Sequence, residues 1–161
     1  MRLCRRNVLA CLMAVLGAAL LTGCAREKVD LQQEYQAVRT VWNRLLTAIE
    51  RRDAEAFAAH WADRSDILAL IEGIPMWLEG WEGIKFNCEQ LMSNVRELDV
   101  SEVLHEFRVS ENGRSAWIVS DLRFDVTTER GRYRFNRWNT VLLTKQNGIW
   151  QVVYVQSSQP E

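Results

Sequence analysis

Apolar residues recur along the first half of the chain at the three- and four-residue spacing of an α-helix. The clearest stripe is Leu31, Tyr35, Val38, Trp42, Leu45 and Ile49. Because an α-helix has 3.6 residues per turn, these side chains share one face and predict an amphipathic helix of about five turns. Asp53, a good helix N-cap, predicts a second, short helix over residues 54–62. A third stripe predicts a third helix: Ile84, Cys88, Leu91, Val95 and Leu98.

Alternating apolar and polar residues, typical of strands, fill the chain after Asp99. Two short strands are predicted before the third helix, and four long strands after it. In chain order they are Ile67–Ile71, Met76–Leu78, Val100–Ser110, Ser115–Thr128, Arg132–Lys145 and Ile149–Ser157. The dipeptides between the long strands are Asn112-Gly113, Arg130-Gly131 and Asn147-Gly148, and Asn-Gly is a strong hairpin signal. This order predicts an α+β domain, with three helices packed on a curved antiparallel sheet that ends in a four-stranded meander.

The predicted two-residue turns set the strand register and therefore assign each residue to one face of the sheet. The inner face is mostly apolar, and its polar members are His105, Ser120, Arg137, Asn139, Tyr154 and Gln156. The outer face is predicted to carry Glu102, Trp138, Leu142, Val153 and Val155. An apolar concavity with a few convergent polar groups is typical of a small-ligand site. A single bulge would exchange the faces of all residues beyond it.

The polar inner-face residues, together with Trp42 and Trp77 as pocket walls, form the predicted ligand-binding set. For Trp42, packing in the core is the competing interpretation. Arg137 has two interpretations, because a guanidinium among apolar side chains is costly unless it is paired. It pairs with an acidic residue of the chain, such as Asp63 or Asp66, or it binds a carboxylate or another anion through its bidentate fork.

His105 and Tyr154 are the candidate catalytic residues. His105 is the one imidazole predicted on the inner face, and a histidine titrates in the right range for a general base. With Glu102 assigned to the outer face, no carboxylate is predicted to orient the ring. A hydrogen-bonded core histidine is therefore favoured over catalysis. His60 and His105 are distant in sequence and lack clustered acids, so neither a metal nor another cofactor is predicted.

The N-terminus has the pattern of a secretory signal. A positively charged start precedes the apolar run Val8–Leu21, which is too short to span a membrane as a stable helix. The run ends in Leu-Thr-Gly-Cys at residues 21–24, which resembles the bacterial lipoprotein signal. That resemblance implies a lipid on Cys24, which anchors the protein to the cell envelope. An ordinary secretory signal with a chance cysteine is the alternative.

The lipoprotein resemblance also implies a location and a division of the chain. Ala25, rather than Asp, follows the cysteine, which implies retention on the periplasmic face of the outer membrane. The predicted organisation is a signal peptide over residues 1–23, a lipidated cysteine and tether over residues 24–30, and one domain over residues 31–158. The membrane is therefore an expected partner through the lipid anchor only.

Charge and cysteine content narrow the remaining partner classes. The whole chain has 20 basic and 21 acidic residues, and three of the basic residues lie in the signal, so the mature chain carries a net charge of −4. This charge argues against a nucleic-acid partner. Removing the signal and lipidating Cys24 leaves Cys88 as the one free thiol, at an apolar helix position, which predicts a small buried side chain.

Three segments resemble a known family. They are RRDAEAFAAHWADRSDI at 51–67, GWEGI at 80–84 and NGIWQVVYVQSSQP at 147–160. Their order resembles SnoaL-like domains of the nuclear transport factor 2-like superfamily, in the branch akin to the calcium/calmodulin kinase association domain. The resemblance implies a cone-shaped fold and, because relatives commonly dimerise through the outer sheet face, a homodimer. Family members often have His where this chain has Tyr154 and Gln156.

Three functions follow from these patterns. The favoured one is a lipid-anchored protein whose cone binds a small molecule, an anion in one version, without catalysis. The second is an enzyme like the isomerases and dehydratases of the superfamily, which place Asp or His inside the cone, with His105 as its acid–base group. No such enzyme matches this chain residue for residue. The third is a dimeric interaction module whose cone is filled by Tyr35 and Trp42.

Overall fold

A computed structural model describes residues 28–73 and 77–160 of the chain. The helices are α1 (Leu31–Glu50), α2 (Ala54–Ala58) and α3 (Gly80–Ser93). The strands are β1 (Leu68–Ile71), β2 (Leu78–Glu79), β3 (Val95–Val109), β4 (Ser115–Thr128), β5 (Gly131–Gln146) and β6 (Ile149–Ser158). The predicted α+β class and the order of its elements are confirmed. The predicted signal peptide and Cys24 lie outside the described residues, and no helix within them is long and apolar enough to cross a membrane.

The strands of the described part form one curved, open sheet in the order β2-β1-β6-β5-β4-β3. Neighbours are antiparallel except for β1 and β6, which are parallel. α1 lies across the inner face of this sheet. Its buried residues are Val38, Trp42, Leu45 and Ala48. Val38, Trp42 and Leu45 share one apolar core with residues of the inner face, which are Ile118, Leu122, Val141, Leu143 and Val152.

Two N-caps, Asp30 and the predicted Asp53, explain where the first two helices begin. Asp30 accepts hydrogen bonds from the backbone of the first turn of α1, and Asp53 accepts one from Ala56 N at 2.8 Å. α2 is shorter than predicted because the chain leaves it to extend the sheet. Ala62 N donates to Val152 O, and Val152 N donates to His60 O, each at 2.9 Å.

The third helix is also shorter than its apolar stripe predicts. It ends at Ser93, and Val95 already pairs with Thr128 in the β3–β4 ladder. Val95 and Leu98 therefore belong to a strand, and Leu91 is 52% exposed, so the predicted helical stripe is wrong beyond Cys88. The backbone of this segment pairs with β4 instead of continuing the helix. The apolar periodicity of a single segment does not show that a distant strand is available for pairing.

The β4–β5 turn lies one residue earlier than the predicted Arg130-Gly131, which shifts the register of β5 against β4 by two residues. The turn residues are Glu129 and Arg130, so Ser120 lies opposite Asn139 rather than opposite Val141. Because a strand has a side-chain period of two, this shift leaves every residue of β5 on its predicted face.

Two bulges do change the predicted faces. In β3 the register shifts between Glu102 and Leu104, so Val103 is an extra residue without a cross-strand partner. In β6 the register shifts between the pairs Leu143–Val152 and Leu142–Tyr154, which makes Val153 the extra residue there. Beyond each bulge, the residues of the strand point to the opposite face from the one that simple alternation predicts.

Candidate active site

A row of polar residues crosses the inner face of the sheet. His105 lies opposite Ser120, Ser120 opposite Asn139, and Asn139 opposite Ser157. The predicted turns pair His105 with Ser120 and continue that row with Val141 and Tyr154. The first of these pairings is confirmed. Asn139 replaces Val141 in this row because of the two-residue shift, and Ser157 replaces Tyr154 because of the bulge in β6. The structure therefore gathers four polar residues in one row, where the sequence register predicts three.

A carboxylate lies beside His105, contrary to the prediction. The bulge at Val103 places Glu102 opposite the buried Leu122 on the inner face. Glu102 Oε2 is 2.7 Å from His105 Nδ1, and the two side chains are 21% and 33% exposed. A carboxylate at this distance stabilises a proton on Nδ1, which leaves Nε2 as the nitrogen that can accept a proton.

The orientation of Glu102 is set from the other side by α1. Trp42 Nε1 donates a hydrogen bond to Glu102 Oε1 at 2.7 Å. Each carboxylate oxygen therefore has its own partner, one on the helix and one on the sheet. His105 is also packed edge-on against Phe107, with the ring centroids 5.0 Å apart. These contacts hold the imidazole between an acid and an aromatic ring.

Ser120 supplies a hydroxyl next to the imidazole. It is 2% exposed, and its Oγ has no hydrogen-bond partner within the described part of the chain. A buried hydroxyl without a partner costs about 1–3 kcal/mol of folding free energy. This oxygen is therefore a candidate donor to a ligand. Asn139, the next residue in the row, donates from Nδ2 to Arg137 O at 3.0 Å.

Arg137 lies on the inner face, as predicted, but opposite Leu122 rather than Phe124. Its guanidinium is 5.3 Å from the Phe135 ring centroid, and Nη1 is 3.4 Å from Glu72 Oε2. Its partner is thus neither Asp63 nor Asp66. The contact is at the long end of hydrogen-bond range, and Glu72 is 53% exposed, so this pair contributes little stability.

Two predicted site residues lie elsewhere. The bulge at Val153 turns Tyr154 and Gln156 to the outer face, where Tyr154 pairs with Leu142 and Gln156 with Thr140. Tyr154 Oη donates to Gln156 Oε1 at 3.2 Å on that face. Their assignment to the inner pocket is wrong, and so is the proposed catalytic pairing of His105 with Tyr154. The outward assignment of Val155 is also wrong, because Val155 lies opposite the buried Val141.

The two predicted aromatic walls have different environments. Trp42 is 4% exposed and belongs to the core, where it holds Glu102. Trp77 is 65% exposed and lies just before β2. Its position is that of a rim residue rather than of a buried wall.

The remaining titratable groups lie apart from this row. His60 follows α2, and burial together with the charge of Arg44 lowers its pKa. Burial raises the pKa of the Cys88 thiol to about 12. The side chain, which the sequence predicts as buried, is half-buried in the structure. Across residues 28–73 and 77–160, no three His, Cys, Asp or Glu side chains stand close enough together to hold a metal ion.

Sequence reasoning missed Glu102, Ser157 and Glu72 as members of the site. Glu102 and His105 are three residues apart, a spacing that places them on opposite faces of a regular strand. Only a bulge between them brings them together. Glu72 and Ser157 belong to segments whose pairing is parallel, and the turn signals do not report that pairing.

Helices packed on a curved, open sheet, with polar residues gathered on its inner face, define an α+β cone protein. The chain belongs to the SnoaL-like domain family, whose family model matches residues 38–161. The predicted superfamily is therefore confirmed. A comparison with curated proteins gave no match.

Several solved structures share this fold. One is a nuclear transport factor 2-like superfamily protein from Salmonella enterica serovar Typhimurium, with a TM-score of 0.74 and 17% identity over 81% of this chain and 94% of that chain. A putative dehydratase from Streptomyces avermitilis has a TM-score of 0.73 and 14% identity over 81% of this chain and 98% of that chain. A hexachlorocyclohexane dehydrochlorinase from Novosphingobium barchaimii has a TM-score of 0.70 and 15% identity over 82% and 90%. At these identities the similarity shows the fold alone.

Proposed function

We propose that this protein is an acid–base enzyme that moves a proton in a small molecule bound on the inner face of the sheet, with His105 as the base. The observation that carries the proposal is the 2.7 Å contact between Glu102 Oε2 and His105 Nδ1. The sequence argued against catalysis because no carboxylate was available to orient the ring. The bulge at Val103 removes that objection.

The reaction class follows from the groups in the row. His105 Nε2 takes a proton from a carbon next to a carbonyl, and the electron pair of the C–H bond moves to the carbonyl oxygen. The Ser120 hydroxyl, which has no partner in the described part of the chain, donates to that oxygen as its charge develops. If a C=C bond is conjugated with the enolate, His105 returns the proton to the far carbon of that system and the carbonyl re-forms, which is an isomerisation. If the β-carbon carries a leaving group, the carbonyl re-forms, a C=C bond forms between the α- and β-carbons, and the group departs with the electron pair of its bond, which is an elimination.

The similar structures agree with this class without assigning it. Two of them belong to proteins named as a dehydratase and a dehydrochlorinase, and both names describe eliminations. The fold therefore occurs in proteins named for eliminations, reactions in which a proton is lost from the substrate. The chemistry proposed for this chain rests on its own residues Glu102, His105 and Ser120.

The test measures proton abstraction directly, so the product does not have to be identified first. Small aldehydes, ketones and keto acids are incubated with the protein in D₂O, and deuterium entry at the acidic carbon is followed by NMR. The wild type should accelerate exchange in at least one compound, and His105→Gln should lower that rate by about 100-fold or more. Glu102→Gln should lower it by a smaller factor. His60→Gln is the matched control and should exchange at the wild-type rate.

Either of two outcomes would sink the enzyme proposal. One is equal exchange by the wild type and His105→Gln. The other is a compound that binds the wild type and His105→Gln with the same Kd but takes up deuterium in the presence of neither protein. The second outcome would establish the non-catalytic binder instead.

That binder is the second candidate function, and Arg137 favours it. Its guanidinium is 17% exposed, stacked near Phe135 and only loosely paired with Glu72. A ligand carboxylate could replace Glu72 and form a bidentate pair with Arg137. In this version Glu102 and His105 only orient the bound anion.

The proposal places the protein in the bacterial cell envelope, held by a lipid on Cys24 at the periplasmic face of the outer membrane. The residues that support this placement are the apolar run Val8–Leu21 and the cysteine signal that follows it. The net charge of −4 after signal removal supports small molecules, rather than nucleic acid, as partners.

We also propose a homodimer through the outer sheet face. Four large apolar residues are exposed there: Trp117, Val119, Trp138 and Leu142. They lie on neighbouring strands, because Trp117 is opposite Leu142 and Val119 is opposite Thr140. An apolar patch that is continuous across strands is typical of an interface.

A further inference from the structure

We propose that one end of the domain rests on the lipid bilayer and that the contact between Arg137 and Glu72 faces away from it. This hairpin end comprises the start of α1 at residues 29–31 and the turns at residues 110–114 and 146–149. The inference rests on the proposed lipid on Cys24, and it adds a membrane-contact surface and a direction of ligand entry.

The three segments of the hairpin end are joined by direct contacts. A Cβ added at Gly113 would meet Val29 Cγ1 at 2.5 Å, so Val29 packs directly on the β3–β4 turn. Lys145 Nζ donates to Glu34 Oε1 at 2.6 Å, which joins α1 to the β5–β6 hairpin. Lys145 N donates to Arg114 O at 2.8 Å, which joins the two turns. The start of α1 is therefore fixed to this end.

The length of the tether restricts which part of the domain can reach the bilayer. Cys24 precedes Val29 by five residues, a span of at most roughly 18 Å. β3 alone has 15 residues and extends about 50 Å from the hairpin end to its start at Val95. A lipid on Cys24 therefore holds the hairpin end near the surface and leaves the opposite end in water.

The surface of the hairpin end suits an interfacial contact. Val29, Leu31 and Ile149 are 39%, 43% and 63% exposed there. Exposed apolar side chains beside a lipid anchor gain free energy when they enter the headgroup region. Arg114 is exposed on the β3–β4 turn of the same end and can approach lipid phosphates.

The orientation of the domain on the bilayer predicts which class of ligand reaches Arg137. Glu72 Oε2 accepts a hydrogen bond from Gln159 N, just beyond the end of β6, while Ile149 begins that strand at the hairpin end. The ten residues of β6 separate the two by roughly 30 Å. The contact between Arg137 and Glu72 then faces the aqueous side, so the expected ligand is a water-soluble molecule rather than a membrane lipid.

The experiment measures depth in the bilayer at chosen positions of the lipidated protein. Single cysteines replace Ile149, Arg130 in the β4–β5 turn, or Phe86 on α3, each combined with Cys88→Ser. Each cysteine receives a nitrobenzoxadiazole label, and the protein is reconstituted into vesicles of phosphatidylethanolamine and phosphatidylglycerol. Nitroxide lipids should quench the label at residue 149 at least threefold more strongly than the labels at residues 130 and 86. Leu31→Cys gives a second site if the variant at residue 149 folds poorly.

Flotation of the vesicles tests the proposed lipid anchor separately from the orientation of the domain. If the wild type does not float with the vesicles, the lipid anchor is absent and the orientation falls with it. If the protein floats but the label at residue 149 stays unquenched, or the label at residue 86 is quenched equally, the orientation alone is overturned. The deuterium-exchange test is independent of both results.

Discussion

Trp42 of α1 and Glu102 of β3 are joined by a 2.7 Å hydrogen bond from the indole Nε1 to the carboxylate Oε1. The two residues are 60 positions apart in sequence. Their contact fixes the second carboxylate oxygen beside His105 and so links the packing of the helix to the candidate catalytic group. A residue that the sequence assigns to packing or to a ligand wall thus positions the carboxylate.

Trp42→Phe removes this donor and keeps an aromatic ring in the core. We expect a loss of about 2 kcal/mol in the free energy of unfolding, because a hydrogen bond to a charged group is lost and apolar area is reduced. Urea unfolding measures the change. Trp77→Phe is the matched control, and its 65% exposure predicts a change within about 0.5 kcal/mol. Equal stability of the two variants would show that the indole does not hold Glu102.

Glu72→Gln and Arg137→Gln test the anion site from its two sides. Removing the charge of Glu72 frees Arg137, so an anionic ligand from the exchange panel should bind about 3–10-fold more tightly. Arg137→Gln should weaken the same ligand by at least as much. Isothermal titration calorimetry gives both values. A neutral ligand of similar shape serves as the control, and an equal response to both ligands would argue against charge recognition.

Trp138→Lys tests the proposed dimer. Trp138 is 58% exposed in the outer patch, and a lysine there places a charge in the proposed interface. The wild type should sediment as a dimer in detergent and the variant as a monomer. Ile149→Lys is the matched control, because it changes a similarly exposed apolar residue outside the patch. A monomeric wild type, or a variant that remains dimeric, would refute an interface on this face.

The pH dependence of stability should include a contribution from Glu34, which is 13% exposed. Burial raises its pKa, but hydrogen bonds from Lys145 and Trp150 and the charge of Lys145 outweigh that effect, so the net shift is downward. A carboxyl whose pKa is lowered by folding stabilises the native state above its ordinary pKa, near 4.3. That contribution is lost as the pH falls through the lowered value.

Glu34→Gln should therefore lower the free energy of unfolding by about 2 kcal/mol at pH 7. The difference from the wild type should shrink below about pH 4. Urea unfolding at pH 7, 5 and 3 measures both effects. Glu50→Gln, an exposed position at the end of α1, is the control and should show little change at any pH. A constant difference between Glu34→Gln and the wild type over this range would contradict the ion-pair explanation.

The inner face shows which residue assignments the local sequence pattern predicts correctly and which it does not. Ser120, Asn139 and Arg137 lie on their predicted face, because a two-residue error in register preserves the alternation of a strand. Tyr154 and Gln156 do not, because one extra residue at Val153 reverses it. An extra residue in β3, Val103, likewise places Glu102 on the inner face instead of the predicted outer face.

The sequence alone determined the class, the order of the elements and the bounds of β4, because these depend on periodicity, caps and turn residues within single segments. The family followed from the resemblance of three segments to SnoaL-like domains. The tertiary structure decided where the two bulges fall and which groups meet, such as Trp42 with Glu102 and Arg137 with Glu72. A bulge forms where the partner strand and the covering helix make the shifted register more stable, and that balance depends on residues far away in the chain. The chemistry proposed here therefore depends on a single unpaired residue, Val103.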